Sequence, residues 1–254
     1  MINHFATHER YALWFILAVI GIGLFLPAIH QPESYHHFAD QRSWNAIPNF
    51  ADVVSNLIFT AAGAIGLYKL RGLPDAMQKV SLPLSVFFGG LLLTGVGSAY
   101  YHWAPSAQTI LVDRLPMVFA FAGVIGTFLA QRVSARMGLF GLIAGLVVGS
   151  AGLAGSAITG NLTLYLALQF GGLAGIATGL FLLKNTDDHL PWWTLIGWYA
   201  LAKALELGDH LVWELTQHMV SGHTLKHIAA GMAGMVLLRA LSGTSNRVAC
   251  RIAA

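Results

Sequence analysis

His223 and His227 stand four residues apart in "SGHTLKHIAA", where an apolar run begins. On a helix, positions i and i+4 share a face with Cβ atoms about 6 Å apart, so both imidazoles can reach one metal ion. His102, at the end of "GSAYYHWAP", can supply a third ligand from a different helix. Three protein ligands and one open position define the catalytic zinc pattern, whereas structural zinc sites are closed by four. Ser98 lies one turn before His102 on the same face, and Asp113 follows across the turn at Pro105. A carboxylate beside a zinc-bound water can take its proton and hand it to a leaving group. A nearby hydroxyl can donate to a developing oxyanion.

Each piece alone is weak. An HxxxH pair at a helix end is more often a pair of interfacial polar residues, and an SxxxH spacing carries almost no information. Asp113 beside Arg114 admits a simple ion pair, and Ser55 and Asn56 in "ADVVSNLIF" admit capping or bonds between helices. Glu206 and Asp209, with Lys203, read as a structural polar network, and His36 and His37 as solvated loop residues. Lys226 is expected to snorkel to the membrane interface. Convergence lifts the set, because ionisable groups inside membrane spans are costly and rare. Here they gather near one membrane depth, within a few helical turns of one interface.

The elements that must position these residues are membrane helices. The 254 residues are 56% hydrophobic and only 10% charged, against roughly 25% charged in a soluble domain. Apolar stretches of about 20 residues read as spans, and eight are expected. They cover approximately 11–29, 51–70, 82–102, 109–130, 137–158, 162–183, 191–213 and 223–241. The first reads as a retained helix rather than a signal peptide, since "LPAIHQP" lacks a small-x-small cleavage site. Eight spans put both termini on one side. That side collects Arg10, Lys69, Arg71, Lys79, Arg132, Arg136, Lys184, Arg239, Arg247 and Arg251, whereas the other has Arg42 alone. The positive-inside rule then makes both termini cytoplasmic. Histidine shows the reverse bias, with only His4, His8 and His189 on the cytoplasmic side, so chemistry is expected near the outer leaflet.

Short connections elsewhere leave residues 30–50 as the one long loop. Gly141, Gly145 and Gly149, and then Gly171, Gly175 and Gly179, read as helix-packing faces. The single Cys250 allows no internal disulfide, and the polar segment after residue 241 reads as a loose tail. The formal charge of +3 requires no nucleic-acid partner, because the basic residues sit in loops.

The chain resembles the alkaline ceramidase family, and most closely its bacterial branch, within the CREST superfamily of seven-helix membrane hydrolases. The resemblance rests on "VSN" at 54–56, "SAYYH" at 98–102, Asp113 and "HTLKH" at 223–227, in the family's order, and covers roughly residues 49–241. It implies an all-α integral membrane protein with a seven-helix core at 51–241. Residues 1–50 then form an added transmembrane helix and outer loop, and 242–254 a cytoplasmic tail. It implies zinc on His102, His223 and His227, an oxyanion-stabilising Ser98 and an acid/base Asp113. The implied reaction is cleavage of a ceramide amide by zinc-bound hydroxide, giving a sphingoid base and a fatty acid, in a bacterial inner membrane. Another lipid amide or ester is an open substrate, since many bacteria lack sphingolipids.

Eukaryotic members carry an acidic calcium site before the first core helix. Here Asn49 stands where they have a glutamate, and Asp40 and Asp52 remain as the carboxylates of a doubtful calcium site. Two other classes stay open: a sensor resembling the adiponectin-receptor branch, and an ion or proton transporter using Lys203, Glu206, Asp209 and His210. The short tails count against the first, and the gathering of polar groups at one end against the second.

Overall fold

The computed structural model describes residues 6–183 and 190–252, with the backbone alone given from residue 242 and at Ala76. His4, Lys184 and His189 lie outside the described residues. The described chain is an all-α membrane protein. Its helices are α1 (Thr7–Phe25), α2 (Phe50–Ser55), α3 (Leu57–Leu70), α4 (Gln78–Trp103), α5 (Thr109–Arg132) and α6 (Ala135–Thr159). Then come α7 (Thr163–Leu166), a π turn (Ala167–Gly171), α8 (Gly172–Leu182), α9 (Trp192–Leu207), α10 (Asp209–Leu215) and α11 (Gly222–Ile252).

Among the described residues, seven helical segments are long and apolar enough to cross a membrane, α2 with α3 forming one and α7, the π turn and α8 another. The expected span at 191–213 differs from them. A one-residue turn at Gly208 separates α9, of 16 residues, from α10, of 7, and Lys203, Glu206 and Asp209 crowd around it, more charge than the seven apolar spans carry in a comparable stretch. Asp209 accepts hydrogen bonds at both carboxylate oxygens, from the backbone N–H groups of Ala39 and His223 (2.9 and 2.8 Å). These bonds tie the start of α10 to the loop after α1 and to the first turn of α11.

Antiparallel α4 and α5 pack closely. A Cβ at Gly97 would lie 2.4 Å from the Val112 carbonyl oxygen, and one at Gly123 would lie 2.5 Å from the Phe87 nitrogen. Any side chain there pushes the two backbones apart, and with them the ends that carry Ser98, His102 and Asp113. The glycine stripes of α6 and of the π turn and α8 are packing faces, as their spacing predicts. Gly145 meets Ala122 of α5, whereas Gly171 and Gly175 meet Val19 and Phe15 of α1. Glu9 holds α1 from its other end, accepting from Ser134 Oγ at 2.6 Å and pairing with Arg136.

The main apolar core includes Phe59, Phe87, Phe88, Val124, Phe128, Trp192 and Leu237. Outward-facing apolar side chains such as Phe25, Ile158 and Leu207 remain uncovered, as lipid as solvent requires. The α11 backbone continues through Ile252, so much of the expected loose tail at 242–254 prolongs the last helix.

Candidate metal centre and its cavity

Ser221 starts the last helix. Its hydroxyl accepts from the Thr224 backbone N–H at 3.0 Å, an N-cap bond of the usual kind. Gly222 permits the approach to α9 and α10, since a Cβ there would lie 2.4 Å from the Leu205 carbonyl oxygen. This start aims His223 and His227 at the end of α4. The ring centroids of His102, His223 and His227 lie 4.8, 4.9 and 5.0 Å apart pairwise. One ligand nitrogen from each lies within 4.8 Å of the others, and all three residues are buried.

The nitrogens fit a metal. Neither ring nitrogen of buried His102 has a hydrogen-bond partner, an arrangement that costs free energy unless something else accepts the lone pair. His227 Nδ1 lies 2.7 Å from Ser55 Oγ, which in turn lies 3.0 Å from the Asp52 carbonyl oxygen. A hydroxyl has one proton. Donated to Asp52, it leaves Ser55 accepting from Nδ1–H, and His227 keeps its Nε2 lone pair for the cluster. Three imidazoles suit a borderline ion such as zinc, whereas calcium and magnesium take oxygen ligands.

The loop at 30–50 roofs the cluster. Buried Phe38 packs its ring 4.6 Å from His102 and 4.7 Å from His223, centroid to centroid. Asn49 donates to the His102 carbonyl at 2.8 Å, and Asp209 ties the loop to the first turn of α11. His36 is half-buried and held in place, its Nδ1 lying 2.9 Å from the Tyr101 hydroxyl. Burial, with the Arg114 charge behind it, holds the His36 imidazole below its ordinary pKa. His37 is exposed, as expected.

The carboxylates of the doubtful calcium site are otherwise engaged. Asp40 receives Arg42 at both oxygens (2.8 and 2.7 Å), and Asp52 accepts from Thr224 Oγ1 at 2.6 Å. A hard cation takes about six to eight oxygens, and these two residues do not supply them.

Ser98, Asp113 and His227 line one cavity of about 290 Å³. Ser98 sits beside the Asp113 carboxyl. Asp113 and Arg114 form no ion pair with each other, for Arg114 donates instead to Gln31. Lys226 does not snorkel. It turns inward, placing Nζ 2.9 Å from Glu206 Oε1 and 3.2 Å from His223 Nε2. Glu206 also pairs with Lys203 and accepts from the Tyr35 hydroxyl at 2.8 Å, whereas Asp209, expected in the same network, bonds to the Ala39 and His223 backbone instead. Burial and this carboxylate hold Tyr35 protonated, with a pKa well above the usual phenol. Asn56 is buried and donates to the Asp52 carbonyl at 2.7 Å. Below the polar end, the cavity continues between Phe87, Leu91, Val124 and Leu195.

Sequence reasoning overlooked Phe38, Tyr35 and Thr224. Only the aromatic richness of the long loop marked the first two, and Thr224 stood within "HTLKH" unread. A family model described as Ceramidase matches residues 40–238, a stretch that contains the three histidines and leaves out α1. No curated protein matches the chain.

Proposed function

Because the chain belongs to the ceramidase family, we propose that it is a zinc-dependent membrane amidohydrolase. It cleaves ceramide or a related lipid amide into a sphingoid-type amine and a fatty acid. Family membership makes it a hydrolase acting on amides. The observation that carries the finer reading is the set of three buried histidines, one of which, His227, lines a cavity that also carries Ser98 and Asp113 and continues among apolar side chains.

His102, His223 and His227 hold the ion. When bound, zinc supplies Lewis acidity, polarising the amide carbonyl and making a water more acidic. Asp113 takes a proton from the attacking water as the carbon–oxygen bond forms, and delivers it to nitrogen as the carbon–nitrogen bond breaks. Ser98 donates to the carbonyl oxygen as negative charge grows there. Ser55 fixes the His227 tautomer. Asn56, Asp209, Glu206 and Lys226 hold the walls, and Phe38 keeps bulk water off the cluster.

The membrane placement follows from charge. With basic residues on the side of both termini, we place those termini in the cytoplasm of a bacterial inner membrane and the site near its outer leaflet. In this reading the unit that performs the chemistry is residues 51–241, covered by the loop before it. The test is metal analysis with a lipid-hydrolysis panel on purified protein. About one zinc per chain is expected, and His223→Ala or His227→Ala should lose both metal and hydrolysis. A metal-free double variant that still hydrolyses lipid would sink the proposal.

A further inference from the structure

Arg114 is 8% exposed and lines the cavity beside the histidines, yet it makes no ion pair among the described residues. A buried charge is costly without a paired counter-charge. A guanidinium carries five N–H donors, and the one hydrogen bond found for Arg114 goes to the neutral amide of Gln31. Its plane lies over two rings, 5.8 Å from the centroid of Tyr35 and 5.6 Å from that of Tyr165. Those contacts orient the fork and leave its charge uncompensated.

The neighbours do not supply the missing anion. Glu206 already receives Lys203, Lys226 and Tyr35, and Asp113 sits beside Ser98. Three cations (Arg114, Lys203 and Lys226) therefore share the cavity wall with two carboxyls. A planar fork with unused donors matches a carboxylate or phosphate in two-point contact. A neutral amino-alcohol head offers hydroxyl acceptors but no counter-charge.

We infer that Arg114 centres an anion-binding subsite, and that the preferred substrate is an amide lipid whose amine half bears a carboxylate or phosphate. The inference rests on the amide hydrolysis proposed above. With the acyl chain between Phe87, Val124 and Leu195, the other side of the amide faces the polar end and Arg114.

Three lipids with one acyl chain test it: N-palmitoylglycine, N-palmitoylethanolamine and the O-phosphate of the latter. Both acidic lipids, or one of them, should exceed the neutral one in kcat/KM by about ten- to a hundredfold, the range for a hydrogen bond to a charged group. The better of the two identifies carboxylate or phosphate. Arg114→Gln should erase that ratio through KM, and Arg114→Lys should keep part of it. A wild-type ratio near one, or a ratio that Arg114→Gln leaves in place, overturns the subsite. Hydrolysis of none of the three refutes amide cleavage for these lipids, and binding then decides the subsite separately. In that case N-palmitoylglycine must raise the wild-type Tm more than N-palmitoylethanolamine does, and must lose the advantage in Arg114→Gln; equal shifts overturn it.

Discussion

Replacing Ser55 by alanine isolates one hydrogen bond behind the metal centre. Ser55 Oγ stands 2.7 Å from His227 Nδ1 and 3.0 Å from the Asp52 carbonyl oxygen, so its proton has one destination and its lone pair another. Without it, a buried ring N–H loses its acceptor, which costs about 1–3 kcal/mol. The imidazole can then place its proton on either nitrogen, and the form with Nε2 protonated cannot bind metal through that atom. Removing partners of this kind lowers metal affinity by about 10- to 100-fold, equivalent to about 1.4–2.7 kcal/mol, so the two estimates agree. The assay is zinc titration of purified apoprotein against a competing chelator, with Ser55→Thr alongside. Thr restores the hydroxyl and should recover most of the affinity. Zinc affinity in Ser55→Ala within about twofold of wild type, well under the expected loss, would refute the tautomer argument.

Three further outcomes are expected. Asp113→Asn should lower lipid hydrolysis by about 10²–10⁴-fold with zinc content unchanged; loss of zinc would make Asp113 a metal-holding residue instead. Phe38→Ala removes a ring that is 3% exposed between two of the histidines. Thermal or denaturant unfolding should show a loss of about 3–5 kcal/mol, and a loss near zero would deny the loop its place as a roof. His36 has a folded pKa below its unfolded value, so its neutral form favours the fold. Its contribution is present above about pH 6.5 and lost as pH falls below it. Proteolytic susceptibility of residues 30–40 should rise on that side, and His36→Gln should flatten the profile; greater protection in acid would contradict the sign.

Much of the architecture was legible in the chain because it depends on local composition. Apolar length marks a span wherever it occurs, and the i, i+4 spacing of His223 and His227 puts both on one helix face. The glycine stripes carried the same kind of information, since close helix contact needs small residues on one face. Asp209 and Glu206 read as structural from their crowding, and both hold other segments in place. The division at Gly208 was not legible. Residues 191–213 read as one run, and nothing local marks Asp209 as the acceptor for the backbone N–H groups of Ala39 and His223.

Side-chain direction was the other gap. Lys226 near a helix start is equally consistent with an interface-seeking lysine and an inward one; the Glu206 carboxylate on another helix decides for the inward position. Arg114 follows Asp113 in sequence, yet its partner is Gln31, from the start of the connection after α1. His36 and His37 are neighbours of one type in one loop, and only the fold gives one of them Tyr101.

By itself, then, the sequence determined that the chain is a helical membrane protein and singled out three histidines, a serine and an aspartate as candidates for one site. Periodicity and apolarity are properties of neighbouring residues and need no tertiary contact. The tertiary structure decided which long-range partners meet: the loop that covers the histidines, the carboxylate that turns Lys226 inward, and the arginine left without an anion. Those depend on how helices rotate and loops return, which no local spacing encodes.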